Sequence, residues 1–321
     1  MRSGTRRAWG NRQPLRKGAV FGLALCLPAM MESAIAGASG LPCADLEAGL
    51  TRTVARIIDG ETVALDDGSE LRLIGALTPR AIDAGADPGT WPLEVAAQEE
   101  LRALVLGKSV ELAFDGARTD RYGRLLAHAF WMEGGRRRWV QGHILEQGLA
   151  RAYAQEGNRA CSAAALEAER VAREARRGLW VDAAYQARPA ALPRELSRYL
   201  GTFQVVEGHI ARIGVARGTI YLNFGSDRQE FSASLRRGDR GLLGSHADDP
   251  KALEGGHVRV RGWIEHRSGP IINLSTAGLI EVLKAPSVST DRVGRRRPRA
   301  RRDLQREEPQ AKPPGLVETG R

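Results

Sequence analysis

The 321-residue sequence predicts a mainly β fold with helices (α+β), a five-stranded barrel with helices followed by a second, smaller β-barrel. Two observations predict it. Short alternating runs joined by Asp-Gly turns fill residues 50–74, and one strongly helical segment separates them from the next strands. A second set of short β-type runs occupies 202–283, after a stretch containing Pro189 and Pro193. The length suits two domains of about 100–200 residues, and an apolar content of 42% suits ordinary cores.

Residues 50–58 (LTRTVARII) alternate as a half-buried strand does, and Asp59-Gly60 turns the chain into a second strand at 62–65. Asp66-Asp67-Gly68 is a hairpin signal before a third strand at 71–74, and Pro79 ends this meander. Residues 81–92 read as loop. Pro92 suits a first helical turn, and Ala97, Leu101, Leu104 and Val105 recur at helical spacing until Gly107. Strands at 110–114 and 125–131 follow, then a short helix at 140–149 and a longer one at about 161–176, before Gly178. Five strands with a helix after the third make an OB-fold plan. The second unit offers strands at 203–213, 219–224, 229–235, 257–265 and 270–274, with a polar, partly helical insertion at 236–255.

The expected division is therefore 1–36 signal peptide, 43–182 first barrel, 183–201 linker, 202–283 second barrel and 284–321 basic disordered tail. Arg2, Arg6, Arg7, Arg12, Arg16 and Lys17 form a charged leader, 19–31 is apolar, and Ala34-Ile35-Ala36 offers a cleavage site. The apolar run is short of the roughly 20 residues that span a bilayer, so the chain is expected in the periplasm or medium, without stable membrane insertion. Cleavage removes Cys26 and leaves Cys43 and Cys161. A pair in an exported chain favours a disulfide, two unrelated buried thiols being the alternative. Nearly all the net charge of +10 sits in the leader and tail, and 37–283 is close to neutral. Attraction to nucleic acid must come from local clusters or from the tail.

Four strings, IIDGETVAL (57–65), LRLIGALTPR (71–80), RTDRYGRLLAHAF (118–130) and VQGHILEQGLARAY (140–153), occur in series. Together they resemble the thermonuclease (staphylococcal-nuclease-like) family over about 50–180. The resemblance implies an OB-fold domain that cleaves phosphodiesters with one calcium ion held by two carboxylates and a carbonyl. It also implies a glutamate base and two arginines that clamp phosphate, because a hard cation needs oxygen ligands and guanidiniums stabilise the transition-state charge.

Carried over residue by residue, Arg72 and Arg124 take the phosphate-clamp positions, Arg121 and Tyr122 those that contact nucleotide, and Thr78 the backbone metal ligand. Glu61 stands at a metal-binding Asp. Leu77 stands at the second metal carboxylate and cannot coordinate calcium. Arg80 stands at the general base and cannot accept a proton at working pH. Each retained group also has a structural alternative: Arg72 can pair with Glu70 or Asp120, and Arg124 with Asp120 can shape a tight strand entry. Arg136-Arg137-Arg138 is expected at a solvated hairpin tip, where Trp131 and Trp139 could add stacking on single-stranded bases. Tyr221, Phe224 and Trp263 of the second unit are either core aromatics or a stacking platform.

The expected function is binding of nucleic acid, nucleotide or phosphorylated ligands with little or no hydrolysis, and with no cofactor. The alternatives are a working calcium-dependent nuclease that rebuilds its metal site from Asp59, Glu61 or Asp83, and an envelope protein–protein scaffold with an unknown partner.

Overall fold

The first alternating run becomes β1 (Glu47–Ile57), which pairs antiparallel with β2 (Thr62–Leu65), and β2 pairs with β3 (Glu70–Leu73). The computed structural model describes residues 43, 46–84, 91–226 and 229–286, so the leader at 1–36 and the tail from 287 lie outside the described residues. After β4 (Ala76–Leu77) comes one helical turn, α1 (Ala81–Ala84), where loop was expected. Asp83 is what organises it, because its carboxylate accepts the Arg80 N–H at 3.2 Å, a local side-chain bond that starts a turn.

The helix α2 (Pro92–Val105) starts on Pro92 and buries Ala97, Leu101 and Val105, one stripe at helical spacing, before Gly107 at φ 72°. Next come β5 (Ser109–Phe114), β6 (Leu125–Glu133) and β7 (Arg136–Trp139). β1 pairs with β5, β5 with β6, and β6 returns to β3 in parallel, closing a five-stranded barrel in the order β1-β2-β3-β6-β5. The helices α3 (Val140–Glu146) and α4 (Ser162–Glu174), with β8 (Arg151–Ala152) between them, complete this half. Chain passes closely where α3 and α4 end: a Cβ on Gly178 would lie 2.2 Å from the Gly148 carbonyl oxygen, so only glycine fits.

Cys43 and Cys161 form the expected disulfide, with Cα atoms 5.0 Å apart, and it ties the segment ahead of β1 to the N-cap of α4. Closing a loop with a sequence separation of 118 stabilises the fold by about 3–5 kcal/mol in the chain-entropy model. No helix among the described residues is long and apolar enough to cross a membrane.

Residues 183–201 carry β9 (Arg188–Pro189) and α5 (Pro193–Leu196), and β9 pairs in parallel with the next strand. That strand is β10 (Phe203–His209), followed by β11 (Arg212–Ala216), β12 (Thr219–Asn223) and β13 (Ser232–Arg236). After a segment of 3-10 turns come β14 (His257–His266), β15 (Pro270–Asn273), α6 (Leu274–Ala277) and β16 (Leu279–Lys284). The sheet order is β11-β12-β13-β15-β14-β10, with β13 and β15 parallel. Since β10 and β11 are separated only by Ile210 and Ala211, this order repeats that of the first barrel.

The two barrels share a packed junction. Leu77 and Tyr153 cluster with Phe203, and Trp263 meets Tyr153 and Phe203 edge to face. Arg261 of β14 is fully buried and pairs with Glu169 of α4 at 2.5 Å and with Glu281 of β16. Glu169 also accepts the Ala152 N–H at 2.6 Å and pairs with Arg173 at 2.8 Å. Burial opposes the Arg261 charge, but the two carboxylates outweigh it and hold the guanidinium above its ordinary range.

His128 of β6 is buried, meets Trp139 edge-on at 5.6 Å, and leaves Nδ1 without a partner. Burial drives its pKa down from 6.5 to about 3, so the folded ring is neutral. The unfolded chain takes up this proton near pH 6.5 and the folded chain does not. Stability from this group is therefore complete above pH 6.5 and declines toward pH 3, by about 1.4 kcal/mol per pH unit. Urea unfolding at pH 7 and pH 5 is expected to show a loss that His128→Leu reduces. An equal loss in the variant would refute the assignment.

Candidate nucleic-acid and phosphate site

The site grows from the turn into β2. The Asp59 carboxylate accepts the Glu61 N–H at 2.8 Å, which fixes the turn. Gly60 lets the chain pass close to Thr78, since a Cβ there would lie 2.9 Å from its hydroxyl. Glu61 is thereby buried, 1% exposed, and its carboxylate faces Thr78, Arg72 and Arg80. It accepts the Thr78 N–H at 3.2 Å, pairs with Arg72 at 3.0 Å, and accepts a direct hydrogen bond from the Arg80 guanidinium. Burial works against the Arg72 charge, but the Glu61 carboxylate prevails and raises its pKa. The Arg72 side chain is 16% exposed, whereas that of Arg80 is 42% exposed and so reaches solvent while holding Glu61.

Leu77 lies opposite Arg151 in the β4–β8 pair and is buried against Tyr153 and Phe203. It brings no oxygen to Glu61 and instead packs the junction between the barrels. Asp83 pairs with the buried Arg151 at 2.7 Å, and Arg151 also donates to the Phe203 carbonyl at 2.8 Å. Burial lowers the Arg151 pKa, with Asp83 acting against that shift. Arg151 and Tyr153, in the string LARAY, were not singled out by sequence. Their only signal was a charged residue and an aromatic amid alanines.

The second group stands on the turn into β6. Arg124 pairs with Asp120 at 2.7 Å, and its N–H donates to the same carboxylate at 3.1 Å. Although burial disfavours its charge, the Asp120 carboxylate has a lowered pKa because Arg124 and the Tyr122 N–H donate to it. Tyr122 is 68% exposed, with the Arg121 guanidinium 4.7 Å and that of Arg124 5.4 Å from its ring centroid. Arg72 is paired in register with Leu126, two residues beyond Arg124. Arg124 itself precedes the first residue of β6, in the turn that leads into the strand.

Each of the two arginines is paired with a carboxylate, Arg72 with Glu61 and Arg124 with Asp120. The alternative partners Glu70 and Asp120 for Arg72 are likewise replaced by Glu61. The arginines at 136–138 are not a hairpin tip but form β7, with Gly134 and Gly135 at the turn. Arg137 pairs with Glu111 at 2.7 Å and lies 3.5 Å from the Phe130 ring centroid, and Trp131 and Trp139 are buried. Phe224 is core, Trp263 meets Tyr153 and Phe203 at the junction while remaining 36% exposed, and Tyr221 is half-buried along a surface groove.

A closed five-stranded mixed barrel flanked by helices is the arrangement of an OB-type domain. Residues 70–182 match the family described as Staphylococcal nuclease homologue. The thermonuclease of Staphylococcus hyicus is 29% identical over 161 residues, covering 49% of this chain and 90% of that protein. Over these residues the chain carries a thermonuclease-like domain.

Proposed function

We propose that this is an exported thermonuclease-like protein that binds nucleic acid or a phosphorylated ligand with little or no phosphodiester hydrolysis. The observation that carries the proposal is the engagement of the buried Glu61 carboxylate by Arg72 and Arg80. In the related family this position belongs to a metal ligand. Here the donor set does not fit calcium, which needs several oxygen ligands. The Glu61 carboxylate is already bound by two guanidiniums, the Asp59 carboxylate accepts the Glu61 N–H, and the Leu77 side chain offers no oxygen. Among the described residues Asp83 is held by Arg151, so it is not poised to replace the missing ligand.

Arg80, half exposed, together with Arg121 and Tyr122 can meet a phosphate and a base through charge-assisted bonds and stacking. Export rests on the leader at 1–36, and the Cys43–Cys161 disulfide supports an oxidising compartment. The division into units 43–182 and 202–283 is part of the same proposal.

Binding of a nucleoside diphosphate to the full chain is expected to weaken with salt. It is also expected to weaken about 10- to 100-fold in Arg80→Ala, the loss typical of a hydrogen bond to a charged group. The same affinity in Arg80→Ala and Arg121→Ala as in the parent would remove the basis for the proposal. A scaffold role is the second reading. It is favoured by one observation, that Arg124 is tied to Asp120 through both its side chain and its backbone.

A further inference from the structure

The second barrel has an outer face that no other part of the described chain covers. The residues of β11, β12 and β13 that point to the core are Ile213, Ile220, Leu222, Ala233 and Leu235. Their neighbours in the two-residue period face outward and line a groove of about 800 Å³, bounded by the turn after β11 and by the turn between β14 and β15. Three arginines surround it: Arg212 on β11, Arg217 in the first turn and Arg267 in the second. All three are exposed, and among the described residues none has a carboxylate within ion-pair distance. Among the described residues Glu230 is the one acid on the groove wall, and the described side chains carry a net positive charge.

Tyr221 lies on the floor between the arginines, half-buried, with its ring on the groove side, and Asn223 and Ser232 add hydrogen-bonding groups beyond it. Opposite Tyr221 in register is Gly214. A glycine inside a strand is destabilising relative to alanine, and packing does not require one here. A Cβ on Gly214 would meet only the Asn223 amide nitrogen, at 3.8 Å. What the missing side chain does is keep the floor beside the Tyr221 ring open to an approaching flat group.

We propose that this groove is a second nucleic-acid site, which takes a single-stranded segment by stacking a base on Tyr221 beside Gly214 while Arg212, Arg217 and Arg267 hold the flanking phosphates. An aromatic floor within a positively charged groove is the combination that binds single strands with little regard to sequence. The site lies on a different barrel from the Glu61 cluster and does not depend on the reading given to that cluster.

The test is photo-cross-linking of a 12-nucleotide single strand carrying 4-thiothymidine to the full chain, followed by peptide mapping. Cross-links are expected within 212–223 and 267–271. Their yield is expected to fall about tenfold in Arg212→Glu/Arg267→Glu, whose sites are both exposed. Cross-links confined to the first barrel or to 284–321, or none at all, would overturn the proposal. Gly214→Val supplies the readout that a purely structural glycine would not give. The variant is expected to unfold at the same or a higher temperature than the parent and yet lose cross-linking at Tyr221. Full cross-linking in that variant would equally overturn the stacking role.

Discussion

Replacing Arg261 by Met is expected to lower the unfolding free energy by about 3–5 kcal/mol, the cost of stranding a buried charge by removing its partner. Arg261 and Glu169 are both 0% exposed, and Glu169 sits where α4 meets the second barrel. Removing the guanidinium leaves Glu169 with only Arg173 and the Ala152 N–H, and Glu281 with the more distant Arg173 and Arg259. Arg261→Met/Glu169→Gln removes both charges and keeps an acceptor for the Ala152 N–H. The double variant should therefore be less destabilised than the sum of the two single variants, by more than the few tenths of a kcal/mol at which distant sites add. Denaturant unfolding of the four proteins measures that coupling. Simple additivity would mean that Arg261 and Glu169 are not coupled and that the junction is held by its other contacts, such as those of Phe203 and Trp263 and the Arg151 bond to the Phe203 carbonyl.

The second large effect concerns hydrolysis. In millimolar calcium the full chain is expected to cleave single-stranded DNA or RNA at close to the rate seen in chelator. Losing an acid–base group or an electrostatic one costs about 100- to 10,000-fold each, and here Arg80 stands in place of a base and Leu77 in place of a carboxylate. Restoring the acids is not a neutral change, because Leu77 is 7% exposed and packs against Tyr153 and Phe203. Leu77→Asp would bury a carboxylate in that apolar cluster and destabilise the junction. Turnover that chelator abolishes in the parent protein would show that a cation site forms in spite of the arginines.

Much of the first barrel was legible because its punctuation is local. Asp59-Gly60, Asp66-Asp67-Gly68, Pro92 and Gly107 each stand where the chain turns or a helix begins or ends. The arginines at 136–138 were misplaced because a charged run looks solvated, whereas Arg137 satisfies its charge on Glu111 and covers the Phe130 ring. Arg261 shows the other limit. In HVRVRGWIEH the alternation correctly puts Val258 and Val260 in the core of their barrel and Arg259 and Arg261 on its outer face. Only the docking of α4 turns that outer face into an interior, and no local pattern announces a long-range contact. The same applies to the site. Family resemblance located Glu61, Arg72, Arg80 and Arg124, but the pairing of Arg72 and Arg80 on one carboxylate depends on how closely the turn at Gly60 approaches Thr78.

The claim that Glu61 serves two guanidiniums and not a metal is tested most directly by calorimetric titration of the full chain with calcium at neutral pH. The predicted result is no saturable heat at millimolar calcium, with the parent and Glu61→Gln giving the same trace. A saturable site in the parent that Glu61→Gln abolishes would contradict it.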